Sequence, residues 1–182
     1  TKDGQVVICH DERIDRTSNG EGLIKDLNLS QLREYNFYGK FPEQAGEDTL
    51  IWTLEEFFEW FAEEAIKVNI ELKTNIFPYP GIVDAVADSI EKYDMLDRVI
   101  ISSFNHESIL DIKARLPEIQ TAFLTMSLMV EPHQYLLNHS VDAYHPLYFS
   151  VNERIVKGCH SHSIKVHPYT IDDLENVQKM YD

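Results

Sequence analysis

The sequence predicts an α/β fold built on a parallel sheet, and two observations carry that prediction. From Lys67 onward, short apolar runs alternate with segments whose apolar residues recur at helical spacing. Such alternation implies parallel strands joined by right-handed helical crossovers. Five apolar runs of strand length follow one another in this way: Lys67–Lys73, Arg98–Phe104, Ile119–Thr125, Val141–His145 and Ile164–Thr170. The length of 182 residues suits a single domain over 1–182, with a hairpin arm and a loop in 1–50 and βα repeats in 51–182. Either an open doubly wound sheet or most of a (β/α)8 barrel fits this pattern. A barrel typically needs about 250 residues, about 70 more than are present.

The elements follow in order. Val6–Cys9 is an apolar run entered through Lys2-Asp3-Gly4, a tripeptide of hairpin-turn type, and Cys9 reads as core. Asp11–Asp26 is polar. Thr53 and Glu56 have capping-box spacing, and Leu54, Phe57, Phe58, Phe61 and Ala65 then share one helical face, with Trp60 at its edge. Ile82, Val86, Ile90 and Tyr93 mark the next helix. Asn105 can cap a helix carrying Ile109, Ile112 and Leu116, which Pro117 ends. A weaker helix covers about Pro132–Asn138. Asn152 can cap a helix through Ile155, Val156 and Cys159, and Asp172 opens a last one with Leu174, Val177 and Tyr181.

Charge and composition exclude several classes. Hydrophobic residues make up 43% and charged residues 26%, ordinary for a packed domain. Sixteen Lys and Arg stand against 31 Asp and Glu, a net charge of -15, which repels phosphate backbones and anionic lipid. Nucleic acid is therefore not an expected partner. No stretch approaches the roughly 20 apolar residues of a membrane span. The two cysteines form no disulfide framework, and a reducing, cytoplasmic setting is the expectation.

Both candidate folds place reactive groups at the C-terminal ends of strands. Those ends hold His10-Asp11, Glu71-Leu72-Lys73, Ser102-Ser103-Phe104, Thr125, His145-Pro146 and His167-Pro168-Tyr169-Thr170. Glu71 and Lys73, two apart on a strand, project to one face. A carboxylate beside an ammonium suits a hard cation and a phosphate oxygen, although a salt-bridged strand end is the commoner meaning of an isolated Glu-x-Lys. A histidine ending an apolar strand, as His10 does, can move protons near neutral pH. His106, His133 and His139 read as surface, and the acidic run Glu43–Asp48 as a solvated loop. No His-Glu-x-x-His and no Gly-x-Ser-x-Gly occurs, which argues against a zinc protease and a serine hydrolase.

The opening segment is more specific than its physics. Thr1-Lys2-Asp3-Gly4, Val6 through Glu12, and Ile14-Asp15-Arg16-Thr17-Ser18-Asn19-Gly20-Glu21-Gly22 resemble the glycerophosphodiester phosphodiesterase family. The resemblance continues through Leu29–Arg33, Thr53–Glu56, Ile70–Lys73, Ile101–Phe104 and Pro168–Thr170. It implies a TIM-type (β/α)8 barrel, incomplete in these residues, that hydrolyses a small-molecule glycerophosphodiester to glycerol 3-phosphate and an alcohol with a divalent cation, Mg2+ or Ca2+. It places the second catalytic histidine on His10, a metal ligand on Glu71, the phosphate-side lysine on Lys73, and a pocket aromatic on Tyr169. The family's His-Arg-Gly, its Glu-x-Asp metal pair and its last strand have no counterpart in residues 1–182. The alternative from another class is a non-catalytic barrel that binds a phosphodiester or a protein. The alcohol half of the substrate, expected to depend on loops about Asn36–Asp48 and Phe77–Tyr79, and the oligomeric state are not read from the sequence.

Overall fold

The structure is a computed structural model that describes all residues except 40, 42, 44–48 and 182, with side chains of 179–181 also outside the description. Most of the acidic run Glu43–Asp48 and the side chain of Tyr181 therefore lie outside the described residues. The chain forms two compact units, Thr1–Ala65 with Tyr79–Asp94, and Ile66–Pro78 with Met95–Asp182.

In the first unit, the short helix α1 (Leu29–Leu32) and the helices α2 (Leu54–Phe61) and α3 (Ile82–Lys92) surround two apolar centres. α2 starts where the sequence places it. The Thr53 hydroxyl accepts from the Glu56 backbone N–H, and the Glu56 carboxylate accepts from the Thr53 N–H at 2.8 Å. Phe58 and Phe61 are buried, and Phe58 meets the ring of Tyr93 at 5.8 Å. Trp60 is exposed and Ala65 lies past the helix. The second centre gathers Ile14, Ile24, Leu32 and Ile51.

The opening run departs from expectation. Val6–Cys9 forms no strand but a single antiparallel bridge from Val7 to Thr53, flanked by Ile8 N–H to Trp52 O at 2.8 Å and Leu54 N–H to Val6 O at 2.9 Å. Lys2-Asp3-Gly4 makes a turn closed by Gly4 N–H to Thr1 O rather than a hairpin. Cys9 is half-buried at the margin of the Ile14 cluster, not in its centre.

The second unit holds a five-stranded parallel sheet of β1 (Val68–Glu71), β2 (Val99–Ser103), β3 (Gln120–Thr125), β4 (Ala143–Pro146) and β5 (Lys165–Val166), in the order β1-β2-β3-β4-β5. A doubly wound sheet reverses direction at a switch point. This order runs one way throughout, as a barrel wall does. Helices α4 (His106–Arg115), α5 (Pro132–Asn138), α6 (Glu153–His160) and α7 (Leu174–Tyr181) belong to the same unit.

Register sorts the side chains by face. Glu71, Ser102, Ala122, Ala143 and Lys165 are level with one another. One residue on, Ser103, Phe123, Tyr144 and Val166 are level and point to the other face. Phe123 stacks on His106 at 4.0 Å and packs on Tyr135 at 5.2 Å, which identifies that face as the helix side. His106 is thus not a surface residue. Its Nδ1 lies 3.1 Å from the Tyr135 hydroxyl and its Nε2 3.0 Å from the Leu124 carbonyl. Asn105 occupies the N-cap of α4 without a side-chain cap bond, and its amide Nδ2 donates to the Thr74 carbonyl at 3.3 Å. Asn152 does cap α6, accepting from Ile155 N–H at 3.0 Å. Between α5 and α6, His133 stacks on His162 at 5.0 Å over Gly158, where a Cβ would stand 2.7 Å from the His133 Nδ1. β5 is shorter than the apolar run predicts, although His167 N–H still donates to Tyr144 O at 2.9 Å and Tyr169 N–H to Pro146 O at 3.0 Å. Pairing resumes at one bridge, Leu147 to Tyr169.

Thr53→Ala should destabilise the chain by about 1 kcal/mol through loss of the α2 cap. Denaturant unfolding of the variant beside the parent measures it, and an unchanged midpoint would show that the cap is not limiting.

Candidate functional site

Each unit carries part of the predicted chemistry. In the first unit, His10 ends the bridge-forming segment with its side chain 74% exposed. Its Nδ1 stands 2.6 Å from Asp11 Oδ1. Arg16 grips the same carboxylate from the other side, Nε to Oδ2 at 2.7 Å and a terminal nitrogen to Oδ1 at 2.7 Å. The Arg16 guanidinium, with a smaller contribution from His10, holds the Asp11 carboxyl well down, to about 2. Asp11 is therefore a carboxylate at any working pH and can only accept hydrogen bonds.

In the second unit, Glu71 ends β1 and Lys73 follows two residues on. Lys73 Nζ donates to Glu71 Oε1 at 2.9 Å, with both side chains about a quarter exposed. The expected shared face is observed. Level with Glu71 on β2 is Ser102, fully buried, whose hydroxyl has no hydrogen-bond partner. Tyr169 lies past β5, donates its hydroxyl to the Thr125 carbonyl at 3.0 Å, and sits edge-on to Phe104 at 5.8 Å. Burial, and secondarily the Glu71 charge, raise the Tyr169 phenol, so it stays protonated and its hydroxyl remains a donor.

Two strand-end histidines noted in the sequence prove to be partners. His145, 5% exposed, lies 2.9 Å through Nε2 from the Nδ1 of His167. Burial first, and the neighbouring His167 second, push His145 down to about 4. Burial, then Lys165, also lowers His167. The paired His-Pro dipeptides at two successive strand ends are the sequence signal for this contact. Asp11 and Arg16 are the site residues that sequence reasoning left without a role, and the spacing of an acidic residue and an arginine around one turn is a weak signal for them.

A magnesium or calcium ion takes six or more oxygen ligands. Among the described residues, no group of three or more His, Cys, Asp and Glu side chains converges to hold one. Glu71 offers a single carboxylate, already joined to Lys73. The described donors therefore do not by themselves form a hard-cation site.

Comparison with known proteins bears on all of this. The glycerophosphoryl diester phosphodiesterase family matches residues 1–182. A glycerophosphodiester phosphodiesterase of Caldanaerobacter subterraneus subsp. tengcongensis is 40% identical over 181 residues, covering 99% of this chain and 74% of that protein. One from Bacillus altitudinis is 34% identical over 183 residues, again covering 74% of that protein. Among solved structures, an Oleispira antarctica phosphodiesterase in complex with the product sn-glycerol-3-phosphate superposes with a TM-score of 0.86 at 24% identity, over 100% of this chain and 73% of that one. A glycerophosphodiester phosphodiesterase from Agrobacterium tumefaciens gives 0.81 at 20% identity, covering 100% and 75%. The likeness in fold identifies the sheet as consecutive strands of a (β/α)8 barrel, of which this chain forms part. No helix among the described residues is long and apolar enough to cross a membrane.

His145 generates a prediction about pH. Its folded value, about 4, lies below the ordinary 6.5. In that window the unfolded chain binds the extra proton, so the contribution is complete above about 6.5 and lost as pH falls toward about 4. The loss is on the order of 3 kcal/mol for an imidazole held neutral by burial. Denaturant midpoints between pH 7 and 4 should fall less steeply for His145→Asn than for the parent, and parallel slopes would exclude His145 as the cause.

Proposed function

Because the chain belongs to the glycerophosphoryl diester phosphodiesterase family, we propose that it acts in the hydrolysis of a glycerophosphodiester to glycerol 3-phosphate and an alcohol. The observation that carries this reading is His10, whose Nδ1 is engaged by a carboxylate while the rest of the ring is open to solvent. An imidazole so held exchanges a proton at its other nitrogen, as general acid or general base at a phosphodiester oxygen requires. The product named in the Oleispira antarctica structure agrees with this substrate class.

Lys73 meets the negative charge of the phosphate. In the ligand-free arrangement its ammonium rests on Glu71 at 2.9 Å, and a phosphate oxygen can replace that partner without moving the strand. We assign Glu71 as one ligand of a divalent cation, Mg2+ or Ca2+, whose chemistry is to neutralise charge on the phosphate. Tyr169 is assigned as the substrate-side aromatic, a reading supported by its half-buried position past β5, edge-on to Phe104. The hydrolytic step needs a second proton-transfer group opposite His10, and none is assigned among the described residues. Two unpaired cysteines fit a reducing, cytoplasmic setting.

The direct test is release of glycerol 3-phosphate from a panel of glycerophosphodiesters by the full-length protein, with added divalent metal and again with chelator. Chelator-sensitive release is expected, and no release from any substrate would favour the non-catalytic binder. His10→Ala should lower turnover by about 100-fold or more, and undiminished turnover would remove His10 from the chemistry. Lys73→Met should lower kcat/KM by about 10- to 100-fold, the scale of one lost charge-assisted hydrogen bond. Glu71→Gln should raise the metal concentration needed for half-maximal activity, and an unchanged titration would exclude it as a ligand.

A further inference from the structure

We propose that Asp11 and Arg16 are positioning residues for His10, Asp11 locking the imidazole in the Nδ1–H tautomer and Arg16 fixing Asp11 while offsetting its charge. The inference rests on the reading of His10 as the proton-transfer group. It adds what no feature of His10 alone supplies, namely how one nitrogen is reserved for chemistry.

The geometry is specific. Asp11 Oδ1 receives two donors, His10 Nδ1 at 2.6 Å and an Arg16 terminal nitrogen at 2.7 Å, and Oδ2 receives Arg16 Nε at 2.7 Å. A two-point guanidinium fork fixes both the position and the plane of a carboxylate, which a single contact does not. The carboxylate accepts only, so the proton between it and His10 belongs to Nδ1 and the lone pair of the neutral ring lies on Nε2. Arg16 also approaches His10 Nδ1 at 3.4 Å, so all three side chains meet at one point.

The backbone delivers Arg16 to this place. Ile14, fully buried, anchors the segment, and Thr17 and Ser18 both donate backbone N–H groups to its carbonyl, at 3.2 and 2.9 Å. Arg13, on the same turn, is held by Asp15 at 2.8 Å and does not compete for Asp11. Among the described residues of the first unit, the charged groups that meet the imidazole are Asp11 and Arg16. Burial pushes the nearby Cys9 thiol up, which favours its neutral form.

An exposed ion pair is worth little to stability, so the arrangement makes a prediction that a structural role does not. The experiment is nitrogen-15 NMR of the His10 ring in the unaltered full-length protein above neutral pH, with pH profiles of kcat/KM for the parent, Asp11→Asn, Arg16→Gln and Arg16→Lys. The Nδ1–H tautomer is expected in the parent. Asp11→Asn should shift the ring toward a tautomer mixture and lower kcat by about 10-fold or more, with KM changed by less than about 2-fold. Arg16→Gln leaves the Asp11 charge uncompensated, so the pH limb governed by His10 should move upward by about one unit, and Arg16→Lys should restore part of that shift. Movement of the acid limb identifies His10 as base, and movement of the alkaline limb identifies it as acid. An Nε2–H tautomer in the parent, or unmoved limbs in folded Arg16→Gln, would overturn the proposal. Absence of hydrolysis by the parent ends the functional reading alone, because the nitrogen spectrum still decides the clamp.

Discussion

Parallel pairing across β1 to β5 is the constraint on which the second unit depends. Glu71 is level with Ser102, Ala122, Ala143 and Lys165, and the neighbouring level carries Phe123 and Tyr144 to the opposite face. A slip of one residue in any strand would exchange the two faces. The energies decide which face governs. Burying an aromatic side chain removes about 200 Å² from water, on the order of 5 kcal/mol for each of Phe123 and Tyr144. The Glu71–Lys73 pair contributes about 1 kcal/mol or less. The aromatics under the helices therefore hold the register, and the two charged residues are carried to the other face by it. Their placement costs the fold little.

The first unit solves a different problem. His10 sits on no strand, since the arm around it makes one bridge and a few backbone bonds. Its orientation comes from side chains instead. Ile14 anchors the turn from beneath, and the Asp11–Arg16 fork holds the imidazole from above. Such an arrangement is stiff where it must be and needs no sheet. The same exposure that leaves His10 open to a ligand makes its orientation dependent on two charged neighbours rather than on packing.

Buried polar groups mark where the second unit departs from an ordinary apolar core. His145 is buried with the imidazole of His167 as its side-chain hydrogen-bond partner. Ser102 buries a hydroxyl without one, level with Glu71. A buried hydroxyl without a hydrogen bond costs roughly 1–3 kcal/mol. The helix side of the same strands joins the aromatics Phe123 and Tyr144 with the buried hydroxyl of Ser103.

By itself the sequence determined the parallel α/β class, the existence and order of the βα repeats, the α2 capping box and the Glu71–Lys73 face. Each depends on local periodicity or on neighbours within four residues, which a linear chain displays. Its opening block also displayed the family, because that block is a run of contiguous residues. Local periodicity left a doubly wound sheet and a barrel wall both open, and the family resemblance implied the barrel. The strand order, a relation among segments 20 or more residues apart, agrees with it. Tertiary structure alone turned Val6–Cys9 from a strand into a single bridge to Thr53, moved His106 from the surface to a stack on Phe123, and joined His145 to His167. It also gave Arg16 its role. Five residues of sequence separate Arg16 from Asp11, and only the turn anchored by Ile14 brings the guanidinium back onto that carboxylate.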